Sequence, residues 1–201
     1  MKSYLVYDCE IIKMIPGKGD RLPGYDYCDG WHDHANMGIS VIGCYSSLSN
    51  EYLAIAPDAF VPPNNETFET FQGLAAQHDL VAGFNSKGFD DRLCAANGIN
   101  IKTSYDLLEE IRLAAYGAKD YRSCPQGHSY ALGWIGQANG FPKTGTGELA
   151  PKLWQQGHER QVIDYCLRDC EITVKLLELG ILGQLKNPNT GKMLTLRSPF
   201  T

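Results

Sequence analysis

SYLVYDCEII, residues 3–12, is the stretch from which the rest of the chain is read. Residues 3–9 form a short apolar and aromatic run, the pattern of a buried strand. At its end stand two acids, Asp8 and Glu10. The two-residue alternation of a strand puts both on one face and Cys9 on the other. Like charges about 4 Å apart repel by about 4 kcal/mol at an effective dielectric of about 20, so a buried strand ending this way calls for a cationic partner. Otherwise the pair is simply two exposed strand-end acids.

Outward from this strand, residues 11–36 break the pattern with Pro16, Gly17, Gly19, Pro23, Gly24 and Gly30, which reads as an insertion leaving the strand directly after Glu10. MGISVIGCYS (37–46) and EYLAIAP (51–57) read as a hairpin. Pro62-Pro63-Asn64-Asn65 opens a helix, with Glu66 and Glu69 in its first turn, that runs to about His78. LVAGF (80–84) is a strand, 89–97 a helix stopped by Asn97-Gly98, and 101–105 a last strand. Asp106, with Glu109 three residues on, starts the helix LLEEIRLAAYG. Residues 118–128 read as loop, 129–139 as helix and 140–151 as a Gly/Pro-rich loop. A helix over about 158–179 carries Val162, Cys166, Cys170, Val174 and Leu177 on one stripe. Residues 181–201 form a C-terminal hairpin extension around Pro188-Asn189-Thr190-Gly191. The order predicts an α/β fold: a mixed sheet, antiparallel in its first strands and parallel in its later ones, flanked by helices, in one domain spanning 1–201.

Composition narrows the function. The 201 residues are 43% apolar and 20% charged, which excludes a disordered or fibrous chain. Eighteen Lys+Arg against 23 Asp+Glu give a net charge of -5, which argues against coating nucleic acid by bulk charge but allows a strand gripped in a local groove. No apolar run is long enough for a membrane span, and Asp8 and Glu10 interrupt any signal sequence, so an intracellular, cytoplasmic protein is expected. Seven cysteines without a CxxC pair read as reduced core thiols, Cys166 and Cys170 being two small buried side chains one turn apart. Cys28, His32 and His34 lie close enough in sequence to suggest zinc, but no fourth ligand is evident.

Two further acids extend the first pair. GFNSKGFDDR (83–92) places Asp90 at a helix start after a strand, and DYCLRDCEIT (164–173) places Tyr165 and Asp169 four apart on one helix face. Each alone is unremarkable, a helix-start acid or a solvated Asp beside a half-buried Tyr. Together, DxE, Asn-x3-Phe-Asp and Tyr-x3-Asp occur in this order, each on the required element. In these motifs, over roughly residues 3–180, the chain resembles the DEDD superfamily of 3′–5′ exonucleases, in the branch with Tyr in its third motif. Residues 149–173 also look like the matching stretch of family members related to the exonuclease domains of polymerases. In the sister branch a His stands five residues before the last Asp; here that place holds Asp164.

The resemblance implies a ribonuclease-H-like fold with Asp8, Glu10, Asp90 and Asp169 as metal-binding acids and Tyr165 positioning the attacking water. It implies two divalent cations, Mg²⁺ or Mn²⁺, which suit an all-carboxylate oxygen site. It further implies single-stranded 3′ ends of DNA or RNA as partners, with Asn85 and Phe89 of the second motif at the substrate. Ile11 stands where many members have Thr. Lys143, in the Gly-rich loop, is a candidate phosphate contact, as are Lys87, Arg92, Lys119, Arg122, Lys152 and Arg168. The 11–36 insertion carries Tyr25, Tyr27 and Trp31 for base stacking and Lys13, Lys18 and Arg21 for phosphates, against Asp20, Asp26, Asp29 and Asp33. The same segment also reads as a flap over the sheet edge or as part of a subunit contact, and a homo-oligomer is possible.

Other motifs fail. Gly191-Lys192 is followed by Met193, with Lys186 where a Walker loop needs Gly, and Phe84 replaces the first Gly of GxSxG around Ser86. Three function classes remain: a metal-dependent 3′–5′ exonuclease, a structure-selective endonuclease, and a non-catalytic nucleic-acid-binding or scaffolding module. Retention of all four acids and the Tyr favours the first.

Overall fold

The computed structural model describes residues 2–17, 19, 21–56, 65–145 and 147–200, with the side chains of 65–67 outside the description. The helix-start signal at Pro62-Pro63-Asn64, the Glu66 side chain, Lys18 and Asp20 therefore lie outside the described residues. Strands β1 (Tyr4–Ile11), β2 (Ile39–Ser46), β3 (Glu51–Ile55), β4 (Leu80–Gly83) and β5 (Tyr105–Asp106) form one sheet in the order β3-β2-β1-β4-β5. β1 to β3 pair antiparallel, whereas β4 joins β1, and β5 joins β4, in parallel. This is the mixed sheet expected from the sequence.

Helices α2 (Asn65–Ala76) and α3 (Asp90–Ala96) belong to one core; α4 (Leu107–Tyr116), α5 (Leu132–Ala138) and α7 (Glu159–Ile181) belong to the other. β1 divides between them by alternation: Leu5, Tyr7, Cys9 and Ile11 enter the α2/α3 core, while Tyr4 and Val6 face the α4/α5/α7 side. Asp8 and Glu10 continue the second stripe, so the strand that contributes to both cores delivers its acids on the side where α7 packs against it. The predicted α7 stripe is buried throughout, with Val162, Cys166 and Cys170 fully enclosed. All seven cysteines are free thiols.

Three expectations change. The strand over 101–105 shrinks to the two residues of β5. Its upstream backbone is tied by side chains instead of a ladder: Thr103 N–H donates to Asp91 at 3.1 Å and Asn100 N–H to Gln72 at 2.5 Å. The Gly/Pro-rich loop ends early, because Pro151 seeds a short helix, α6 (Ala150–Gln155), from the second position of its first turn. The described residues of the insertion contain a helix, α1 (His34–Met37), and a bridge between Met14 and Tyr27. The C-terminal hairpin is present as β6 (Leu185–Lys186) and β7 (Met193–Leu194). Among the described residues, no helix is long and apolar enough to cross a membrane.

Candidate active site

The acids meet at the C-terminal end of β1. Asp8 pairs across the ladder with Gly43 of β2, where α7 comes closest to the sheet. A Cβ on Gly43 would lie 2.9 Å from Cys166 Sγ, so glycine sets how near α7 can approach. That approach brings Tyr165 and Asp169, on either side of Cys166, to the acids of β1. The Cys166 thiol donates to the Asp8 carbonyl at 3.4 Å and reaches Asp8 Oδ2 at 3.7 Å.

Asp90 arrives from the opposite side. The β1–β4 pairing ends at Val6 and Ala82, leaving the Cys9 N–H free of the ladder, and Asp90 Oδ1 accepts it at 3.0 Å. Asp91, next in sequence, faces away: it accepts from Tyr7 Oη at 2.6 Å and from Thr103 Oγ1 at 2.7 Å. It clamps the fold while Asp90 serves the cleft. The turn before α3 is held by Asp106, which caps α4 through Leu108 N and Glu109 N and also accepts from Asn85 N and Lys87 N at 3.1 Å. Asn85 stands there exposed in the left-handed region, at φ 63°.

Asp8, Glu10, Asp90, Asp169 and Lys143 all line one cleft of about 650 Å³, together with Ile11, Asn85, Phe89 and Trp31. Tyr165 is not among the residues lining this cleft; it lines a neighbouring pocket with Asp164 and Arg168, its ring packed against the Lys143 ammonium at 5.0 Å from the centroid. Lys143 Nζ pairs with Asp169 Oδ2 at 2.5 Å, and Asp169 Oδ1 is buried without a partner among the described residues. The Tyr165 hydroxyl is likewise buried, beside Asp169 and Lys143.

The electrostatics are those of crowded carboxylates. Burial, then Asp90 and Asp169, pushes the Asp8 carboxyl well above its ordinary range. Burial, then Asp8 and Asp169, does the same to Glu10, and burial leads for Asp90. Burial raises Asp169 too, against the pull of Lys143. For Lys143 itself burial opposes the charge, but Asp169 outweighs it and holds the ammonium above the usual lysine range. Lys143 thus faces four acids, and a buried carboxylate oxygen is left open. This donor set fits a divalent ion that prefers oxygen ligands. Among the described residues, the cluster of three potential ligand side chains with atoms within 4.8 Å of one another is Asp8, Glu10 and Cys166. Burial pushes the Cys166 thiol up, keeping it protonated and so a donor to Asp8 instead of a soft anionic ligand.

The zinc suggestion at Cys28, His32 and His34 is not assembled: Cys28 is buried, and its thiol points to the Met14 and Gly30 carbonyls. Three candidate phosphate contacts are engaged elsewhere, Lys87 and Lys119 with Glu109 across the fold and Arg168 with Glu171 one turn along α7. Sequence reasoning missed the cleft's other wall. Arg112 and the exposed Tyr121 stack there, 5.7 Å from guanidinium carbon to ring centroid, beside His128 and Tyr130. No motif marks them; the one hint was an aromatic, basic loop directly after a helix.

No protein-family model and no curated protein sequence matches the chain. Among solved structures, the family B DNA polymerase from the hyperthermophilic archaeon Pyrobaculum calidifontis is similar in fold, with a TM-score of 0.62 at 14% identity. The match covers 91% of this chain and 25% of that one, so this chain spans about a quarter of the polymerase's length. With the sheet order given above, the fold is ribonuclease-H-like.

Proposed function

We propose that the chain is a metal-dependent 3′–5′ exonuclease hydrolysing terminal phosphodiester bonds of DNA or RNA. The observation that carries this reading is the convergence of Asp8, Glu10, Asp90 and Asp169 on one cleft beside Lys143 and Tyr165. The fold likeness to part of a DNA polymerase and the motif resemblance to the DEDD exonucleases support it.

Asp8, Glu10, Asp90 and Asp169 would hold two Mg²⁺ or Mn²⁺ ions. Bound there, such ions acidify a water and stabilise charge on the leaving oxygen. The chain's own groups do the rest. Burial, then Asp169, pushes the Tyr165 hydroxyl up, so it stays protonated at neutral pH and acts as a donor that orients water, not as a base. Lys143 keeps its charge in the cleft wall, where a phosphate settles favourably. Asn85 and Phe89 present a polar tip and a flat face to the terminal nucleotide.

A 5′-labelled single strand incubated with Mn²⁺ should yield a ladder shortening from the 3′ end, and excess EDTA should stop it. Internal cuts would support the endonuclease reading. Strand binding with no hydrolysis by folded protein would support the non-catalytic module.

A further inference from the structure

The 11–36 insertion is tied down at Ile12 and over Tyr25–Cys28. Gln155 of α6 donates to the Ile12 and Asp26 carbonyls and accepts from Asp26 N–H, while Gln156 donates to Tyr25 Oη. Cys28 is buried in the α2/α3 core. The segment encloses a second cleft of about 340 Å³ against Glu148 and Pro151. Ile11 and Trp31 line both this cleft and the acid-lined one, so the two meet there. Trp31 is 64% exposed, its ring edge-on to Phe89 at 6.3 Å, which leaves an indole face open at the junction. Inside the second cleft the Arg21 guanidinium lies 5.3 Å from the Tyr27 ring centroid and has no carboxylate partner among the described residues.

We propose that this second cleft is a subsite for the unpaired nucleotide next to the one being removed, its base stacking on Trp31 and its phosphate meeting Arg21. This rests on the exonuclease reading, since that places the 3′ end among the acids and obliges the strand to leave the cleft across its rim. The volume is at the small end of ligand pockets, which suits one nucleotide rather than a duplex. An unstacked base offers the flat face that an exposed indole takes up, so the subsite selects single strands. Glu148 also lines the cleft and turns phosphates toward the Arg21 side. Because α6 pins the segment, little ordering is needed when the strand arrives.

The test is binding of thymidine mono-, di- and trinucleotides to the whole chain, with Ca²⁺ present, for the parent, Trp31→Ala and Arg21→Ala. The parent should gain about tenfold or more in affinity from mono- to dinucleotide, the scale of one base stacked on an aromatic ring. Trp31→Ala should remove that gain. Arg21→Ala should reduce the slope of log affinity against log salt by about 0.7, one phosphate contact on a single strand. Both side chains are exposed, so melting temperatures should match the parent. A parent without the dinucleotide gain, or variants that keep both the gain and the slope, overturns the subsite. Hydrolysis of a longer strand by the parent with Mn²⁺ judges the exonuclease reading separately: if hydrolysis is absent while the Trp31-dependent gain remains, that reading falls and takes with it the assignment to a nucleotide beside a scissile bond, whereas hydrolysis without the gain overturns the subsite alone.

Discussion

Replacing Asp8 by Asn should make the metal-free protein more stable while abolishing hydrolysis. Asp8 and Glu10 present carboxylate oxygens within 4.8 Å of each other. At about that separation and an effective dielectric of about 20, their repulsion is about 3.5 kcal/mol. Asp8 is half-buried and Lys143 offsets part of the charge, so about 1–2 kcal/mol should be recoverable. For a chain of this size that is a rise of about 2–8 °C in Tm. The pH dependence follows from the raised carboxyls of Asp8, Glu10 and Asp90. A carboxyl whose folded pKa exceeds its unfolded value binds more protons when folded, so the fold is favoured at low pH. It loses that advantage as pH rises from the unfolded value, about 4, toward the raised folded one. In EDTA, therefore, the parent should lose stability through this window, and Asp8→Asn should exceed it at pH 7.5 but match it near pH 4. Mn²⁺ should raise the parent's Tm more than the variant's. The assay is thermal unfolding at both pH values, with and without metal. A variant less stable than the parent at pH 7.5, or a difference independent of pH, would refute the crowded-carboxylate account.

Asp90→Ala should abolish hydrolysis, whereas Asp91→Ala should leave its chemistry nearly intact but lower Tm by about 2–12 °C, because Tyr7 Oη and Thr103 lose their acceptor; the reverse pattern would shift the motif by one residue. Tyr165→Phe should slow turnover about 10- to 1,000-fold while the four acids, and so metal binding, remain; parental kcat in that variant removes Tyr165 from the mechanism. Gly43→Ala, which forces a methyl against Cys166, should cost about 1–3 kcal/mol of stability and reduce metal-dependent hydrolysis by moving α7 away from β1. A melting curve and a rate both equal to the parent's would show that the helix approaches the sheet with room to spare.

Features set by local periodicity and local chemistry are legible in the residues alone. Alternation along residues 3–10 places Asp8 and Glu10 on one face, and a four-residue spacing places Tyr165 and Asp169 on another; neither needs knowledge of the fold. The Asp106 cap and the Asn97-Gly98 stop are legible for the same reason, because their hydrogen bonds close within a few residues. Features that depend on distance across the chain emerge only when the layers pack. Asp90 and Asp91 are indistinguishable by composition, and only the open N–H of Cys9 on one side and the Tyr7–Thr103 pair on the other separate their tasks. Lys143, one cation in a glycine-rich loop, becomes the counter-charge of Asp169 only after α7 has packed against Gly43. The wall of Arg112 and Tyr121, and the docking of the insertion on Gln155, arise from surfaces that meet when the layers close. Such contacts join residues as far apart as Ile12 and Gln155, 143 positions, or Asp8 and Cys166, 158 positions, and no short-range pattern encodes a separation that packing alone sets.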